Sequence, residues 1–157
     1  MTTAAAVTTQ STTRRAGGLR GALTRRWPAA VGVGAALASL ALMAPLPEQL
    51  QIGVSAWSVL LAAVVYLTWG TARGELGDRR LLTAQTAAVL GFAAIAVTAV
   101  AVDLGTARYV LAAGWLAHAG WDVAHHRADR VVPRWYAQTC LVADLTVAAG
   151  LLATGLR

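Results

Sequence analysis

The chain has 157 residues, of which 57% are hydrophobic and 13% charged, a balance too apolar for a soluble domain of this length, so an integral membrane protein is expected. A net charge of +6 with a pI near 11 raises nucleic acid as a partner. The 13 basic residues, all Arg, stand instead in short blocks between apolar runs, with no aromatic residues interleaved as base-stacking platforms; this argues for membrane topology and against nucleic acid.

The first 26 residues are mostly Thr, Ala, Gly and Arg. With almost no large apolar side chain to bury, residues 1–26 are expected to form a disordered, Arg-rich cytoplasmic tail. The competing reading, a cleaved signal peptide with Arg14-Arg15 as a twin-arginine mark, fits poorly. The apolar run that follows is longer than the roughly 7 to 15 residues of a signal core, and Ala41-Leu-Met-Ala44 followed by Pro45 makes a poor cleavage site.

Runs suited to crossing the hydrocarbon layer follow at 27–46, 52–70, 82–102, 109–126 and 136–156. The fold class is therefore all-α, with residues 27–157 forming a polytopic bundle of five transmembrane helices. The fourth run is the weakest, because Asp122 near its end costs about 2.5–3.5 kcal/mol if placed at a bilayer centre. It inserts best when packed among neighbours. The arginines support five spans, since short loops rich in Arg stay in the cytoplasm. Arg14, Arg15, Arg20, Arg25 and Arg26 precede the first span, Arg73, Arg79 and Arg80 follow the second, and Arg127, Arg130 and Arg134 follow the fourth. Only Arg108 and Arg157 fall at the opposite ends, which predicts a cytoplasmic N-terminus and an external C-terminus. All-Arg basicity, abundant Ala and the absence of Lys and Asn suggest a high-GC bacterial genome, hence a bacterial cell membrane.

Trp27, Trp69, Tyr109, Trp135 and Tyr136 lie at the ends of these runs, where amphipathic rings favour the headgroup level. Gly32, Gly34, Ala38, Ala113, Ala117, Ala149 and Ala153 recur at four-residue spacings and predict smooth faces for close helix packing, within the chain or in a homo-oligomer or membrane complex. The Arg loops, with His126 and Asp129, suit contact with anionic lipid headgroups.

The chemistry concentrates in the last two spans. Residues three and four apart share a helix face, so His118, Asp122 and His125 form one polar stripe, extended outward by Trp115, and Tyr136, Cys140 and Asp144 form another. A short loop around Pro133 makes these two helices antiparallel neighbours. At a rise of about 1.5 Å per residue, His118 and Asp144 each lie about 12 Å from the cytoplasmic end, and Asp122 and Cys140 about 6 Å. The expected pairings are His118 with Asp144, and Asp122 with Cys140 and His125. An unpaired carboxylate is strongly penalised in hydrocarbon, so each needs a partner or a proton. Gln85 is expected to complete the hydrogen bonding around Asp122, while Ser55 and Ser58 bond to their own backbone.

Three roles follow for this cluster of His118, Asp122, His125, Cys140 and Asp144. It can fix helix packing by interhelical hydrogen bonds. It can relay protons or move a small solute. Or it can bind Fe or Zn through His118, Asp122 and Asp144 in a membrane enzyme, although His125, about 10 Å along the axis from His118, does not join the same ion. Cys140 reads as a packing residue rather than a nucleophile, and as the single cysteine it forms no intrachain disulfide. The His125-His126 pair resembles one box of the membrane desaturases and hydroxylases. The other boxes are missing, so that family's properties are not carried over.

Overall fold

The computed structural model describes residues 26–155; the expected tail, apart from Arg26, lies outside them. Five α-helices follow one another: α1 Arg26–Met43, α2 Glu48–Ala72, α3 Arg79–Ala101, α4 Leu104–Ala128 and α5 Arg134–Gly155, with a short 3-10 turn at Glu75–Gly77 between α2 and α3. No strand occurs among the described residues. Helices α1, α2, α3 and α5 are each long and apolar enough to cross a membrane. Helix α4 is as long as α2, with 25 residues, but holds the polar stripe.

The helices outrun the apolar runs because their ends are set by capping rather than by hydropathy. Asp103 accepts from the Thr106 amide at 3.0 Å and the Thr106 hydroxyl at 2.6 Å, starting α4 five residues before the run at 109. Asp78 does the same for the Arg80 amide at 3.0 Å. Pro47 precedes α2, whose first turn carries Glu48, an acid placed well against the helix dipole. The carbonyl of Pro133 accepts from the Tyr136 and Ala137 amides and opens α5.

Helix α4 packs most extensively on α5 and also meets α2 and α3, so its polar stripe is enclosed by apolar neighbours. Helix α1 lies on α5. A Cβ built on Gly32 would stand 2.3 Å from the Thr139 carbonyl oxygen, an approach open only to glycine. Ala36, one turn on, is buried, and the Trp27 and Trp135 rings meet at 5.7 Å. The other small residues expected at helix contacts, Gly34, Ala38, Ala113, Ala117, Ala149 and Ala153, are exposed. Gly32, Ala36, Gly114, Ala119 and Ala148 fill the tight positions instead, because helix facing is set by the stripe as a whole and not by one spacing of small residues.

The interior is layered along the bundle axis. Toward the end bearing Arg108, Ile52, Ala56, Val59, Phe92, Leu111 and Trp115 form an apolar core. At the arginine-rich end, Val131, Val132 and Ala137 pack with Tyr66, Trp69, Leu81, Trp121 and Tyr136. The polar residues lie between these two layers.

Candidate metal centre

His118, Asp122 and Asp144 converge between α4 and α5. His118 Nδ1 lies 2.7 Å from Asp144 Oδ2 and 3.7 Å from Asp122 Oδ1, the second distance being the i,i+4 spacing of α4. One ligand atom from each residue falls within 4.8 Å of the other two. His118 and Asp122 are 0% exposed and Asp144 4%, so water is not the partner that screens their charge.

A fourth residue completes the centre. The Tyr66 hydroxyl, from α2, donates to Asp122 Oδ1. The Tyr66 ring is fully buried and meets the rings of His118 at 5.6 Å, His125 at 4.9 Å and Tyr136 at 6.1 Å. Sequence reasoning misses Tyr66, because a single tyrosine inside an apolar run carries no pattern. Its depth could have revealed it, since Tyr66 lies six residues from the end of α2, as Asp122 does from the end of α4. Phe92 of α3, 5.0 Å from His118 between ring centroids, closes the remaining side.

The other stripe residues fall elsewhere. His125 Nδ1 donates to the Trp121 carbonyl at 2.9 Å, and its Nε2 lies 2.7 Å from Gln85 Nε2, so Gln85 serves His125 rather than Asp122. This pairing fits a neutral imidazole, whose unprotonated Nε2 accepts from the amide. Cys140 is half-buried and lies against Tyr136, and the expected partnership of Asp122 with Cys140 and His125 is replaced by the bond from Tyr66. Trp115 does extend the stripe, since its indole Nε1 donates to Ser55 Oγ at 3.0 Å, giving Ser55 an interhelical bond in place of the expected backbone one. Trp69 and Tyr136, expected as lipid anchors, pack against each other at 4.8 Å in the inner layer.

Two buried atoms of the trio, His118 Nε2 and Asp122 Oδ2, have no hydrogen-bonding partner. Two carboxylates and one imidazole also suit a borderline cation. Metal–ligand distances of about 2.0–2.2 Å in tetrahedral geometry put ligand atoms about 3.4 Å apart. The 3.7 Å between His118 Nδ1 and Asp122 Oδ1 lies near that value, whereas the 2.7 Å between Nδ1 and Asp144 Oδ2 is a hydrogen bond that ligation would have to replace. The bond from Tyr66 to Asp122 is of the kind that would orient this carboxylate toward an ion. No family model, curated protein or solved structure matches the chain, so the reading of this site rests on its own chemistry.

Proposed function

We propose that this multi-pass membrane protein holds one divalent transition-metal ion, Zn or Fe, on His118, Asp122 and Asp144. The observation that carries this reading is convergence: three ligand atoms from two helices gather within 4.8 Å at a fully buried point. A proton relay needs donors and acceptors strung along the membrane normal, and beyond Trp115 and Ser55 the apolar core toward the Arg108 end interrupts such a string. His118 Nε2 is buried without a partner, which leaves this ring nitrogen free to bind a ligand. An ion of charge +2 balances the two carboxylates while the imidazole remains neutral, which removes the net charge from a low-dielectric site.

Three protein ligands leave a coordination position open, and a bound Zn ion in that arrangement polarises water or a carbonyl. The residues of the chain supply the rest: Tyr66 fixes the Asp122 carboxylate, and Phe92 and Trp115 exclude water from the imidazole. The Tyr66–Asp122 and His118–Asp144 hydrogen bonds tie α2, α4 and α5 together, and an ion would replace the second by joining both residues to itself. The arginine distribution supports a cytoplasmic N-terminus with the Arg-rich loops against anionic headgroups of a cell membrane, and an external C-terminus.

Elemental analysis of the detergent-purified protein, after reloading with Zn(II) or Fe(II), tests the reading. The expected result is about one ion per chain, lost in His118→Ala and Asp144→Asn and kept in His126→Ala, whose ring contacts only the Arg134 carbonyl at the surface. Equal metal content in all four proteins would overturn it.

A further inference from the structure

Between the metal centre and the arginine-rich end, the chain makes a turn that its residues do not favour. Val131 has φ +73°, a left-handed backbone that a β-branched side chain resists. The Val132 amide donates to the Arg130 carbonyl at 2.9 Å, which closes a three-residue γ-turn of the strained hand around Val131. The strain serves burial, since Val131 and Val132 are both 0% exposed and fill the mouth of the bundle inside a collar of Tyr66, Trp69, Trp121 and Tyr136. Tyr66 belongs to both parts: its ring touches this plug and its hydroxyl holds Asp122.

The turn is fastened from outside. Glu75 Oε2, on the loop between α2 and α3, accepts the Val131 amide at 2.8 Å. Glu75 is 20% exposed, and its carboxylate faces Arg73 at 3.0 Å and Arg130 at 3.6 Å, while Arg130 also reaches Asp78 at 3.7 Å. Of these contacts only the one from Glu75 reaches the strained residue itself, so its release frees the turn to relax.

We infer that Val131 and Val132 form a gate, latched by Glu75, that closes the metal centre from the arginine-rich side. Opening detaches the Val131 amide from Glu75, lets the turn relax and withdraws both valines from the collar, uncovering Tyr66, which holds Asp122, and Tyr136, which lies against Cys140. The role as a gate for an ion rests on the metal reading; the closure itself does not.

Cys140, the only cysteine, lies one helical turn from Asp144 toward the gate and reports its state. The full chain in detergent is treated with a small cationic methanethiosulfonate, and the rate of Cys140 modification is read by mass spectrometry. Glu75→Ala, which removes the latch, and Val131→Gly, which keeps the latch but removes plug and strain, are expected to speed modification at least tenfold over the wild type. Glu48→Ala, which breaks a surface ion pair with Arg108 at the opposite end, is expected to leave the rate unchanged. Rates within twofold of the wild type for both gate variants would overturn the gate, as would an equal acceleration in Glu48→Ala. Chelator stripping of the zinc-loaded protein is expected to accelerate in parallel. Faster Cys140 modification in a protein that binds no metal would uphold the gate and refute the metal reading.

Discussion

Replacing Tyr66 by Phe removes one oxygen and little else. The ring keeps its contacts with His118, His125 and Tyr136, at 5.6, 4.9 and 6.1 Å, so the loss isolates the hydroxyl that donates to Asp122. A hydrogen bond to a charged acceptor contributes about 1.5–3 kcal/mol, and interhelical bonds in membranes fall in the lower part of that range or below it. The substitution leaves Asp122 Oδ1 without the hydroxyl that donates to it in a buried site. The expected loss of stability is therefore about 2 kcal/mol. The assay is unfolding in mixed micelles, followed by tryptophan fluorescence, for Tyr66→Phe, Asp122→Asn and the double variant. A coupling energy of about 1–3 kcal/mol is expected, because residues sharing one bond are non-additive. In the metal-loaded protein the same change is expected to weaken ion affinity about 10- to 100-fold, since Tyr66 orients a ligand without being one. That loss corresponds to about 1.4–2.7 kcal/mol, the size of the bond itself. A coupling below about 0.5 kcal/mol, the limit within which independent sites add, would refute the assignment of Tyr66 to the centre.

Two further outcomes are expected. Gly32→Ala drives a Cβ against the Thr139 carbonyl at 2.3 Å, part of a backbone that cannot yield cheaply, and should cost about 1–3 kcal/mol in the same unfolding assay; Gly34→Ala, with open space around it, should be neutral or slightly stabilising. At the start of α4, the Thr106 hydroxyl and amide hold the Asp103 carboxyl below the usual carboxylate range. A folded-state pKa depressed in this way gives stability that is present above the ordinary value of about 3.9 and is lost as pH falls through the folded value. Protection factors for the first-turn amides of α4 should drop below about pH 4, and Asp103→Ala should abolish that dependence.

Depth arithmetic on two antiparallel helices places His118 beside Asp144 in the sequence, and the structure sets the pair 2.7 Å apart, because a fixed rise per residue and a short connection leave little freedom. The same arithmetic set Asp122 against Cys140, and the two do lie near each other, but the hydrogen bond on Asp122 comes from elsewhere. Depth along an axis says nothing about rotation around it, and the Tyr66 hydroxyl of α2 occupies the position. The trio His118, Asp122 and Asp144, which sequence spacing already separates from His125, is the group whose ligand atoms gather within 4.8 Å. The strained turn at Val131 was illegible for another reason. Asp-Arg-Val-Val-Pro reads as a charged surface loop, and only the surrounding collar of rings makes burial of both valines worth a left-handed backbone.

The close approach at Gly32 bears on the order in which the protein assembles. Helix α1 leaves the ribosome before the other four, yet its tightest contact is with α5, the last of them to be made. Until α5 inserts, the glycine face of α1 waits in lipid without its partner. Because α5 also supplies Asp144, docking of the first helix and completion of the centre are set in place by the same late event. A chain halted after α4 would hold His118 and Asp122 with neither Asp144 nor the seat for α1.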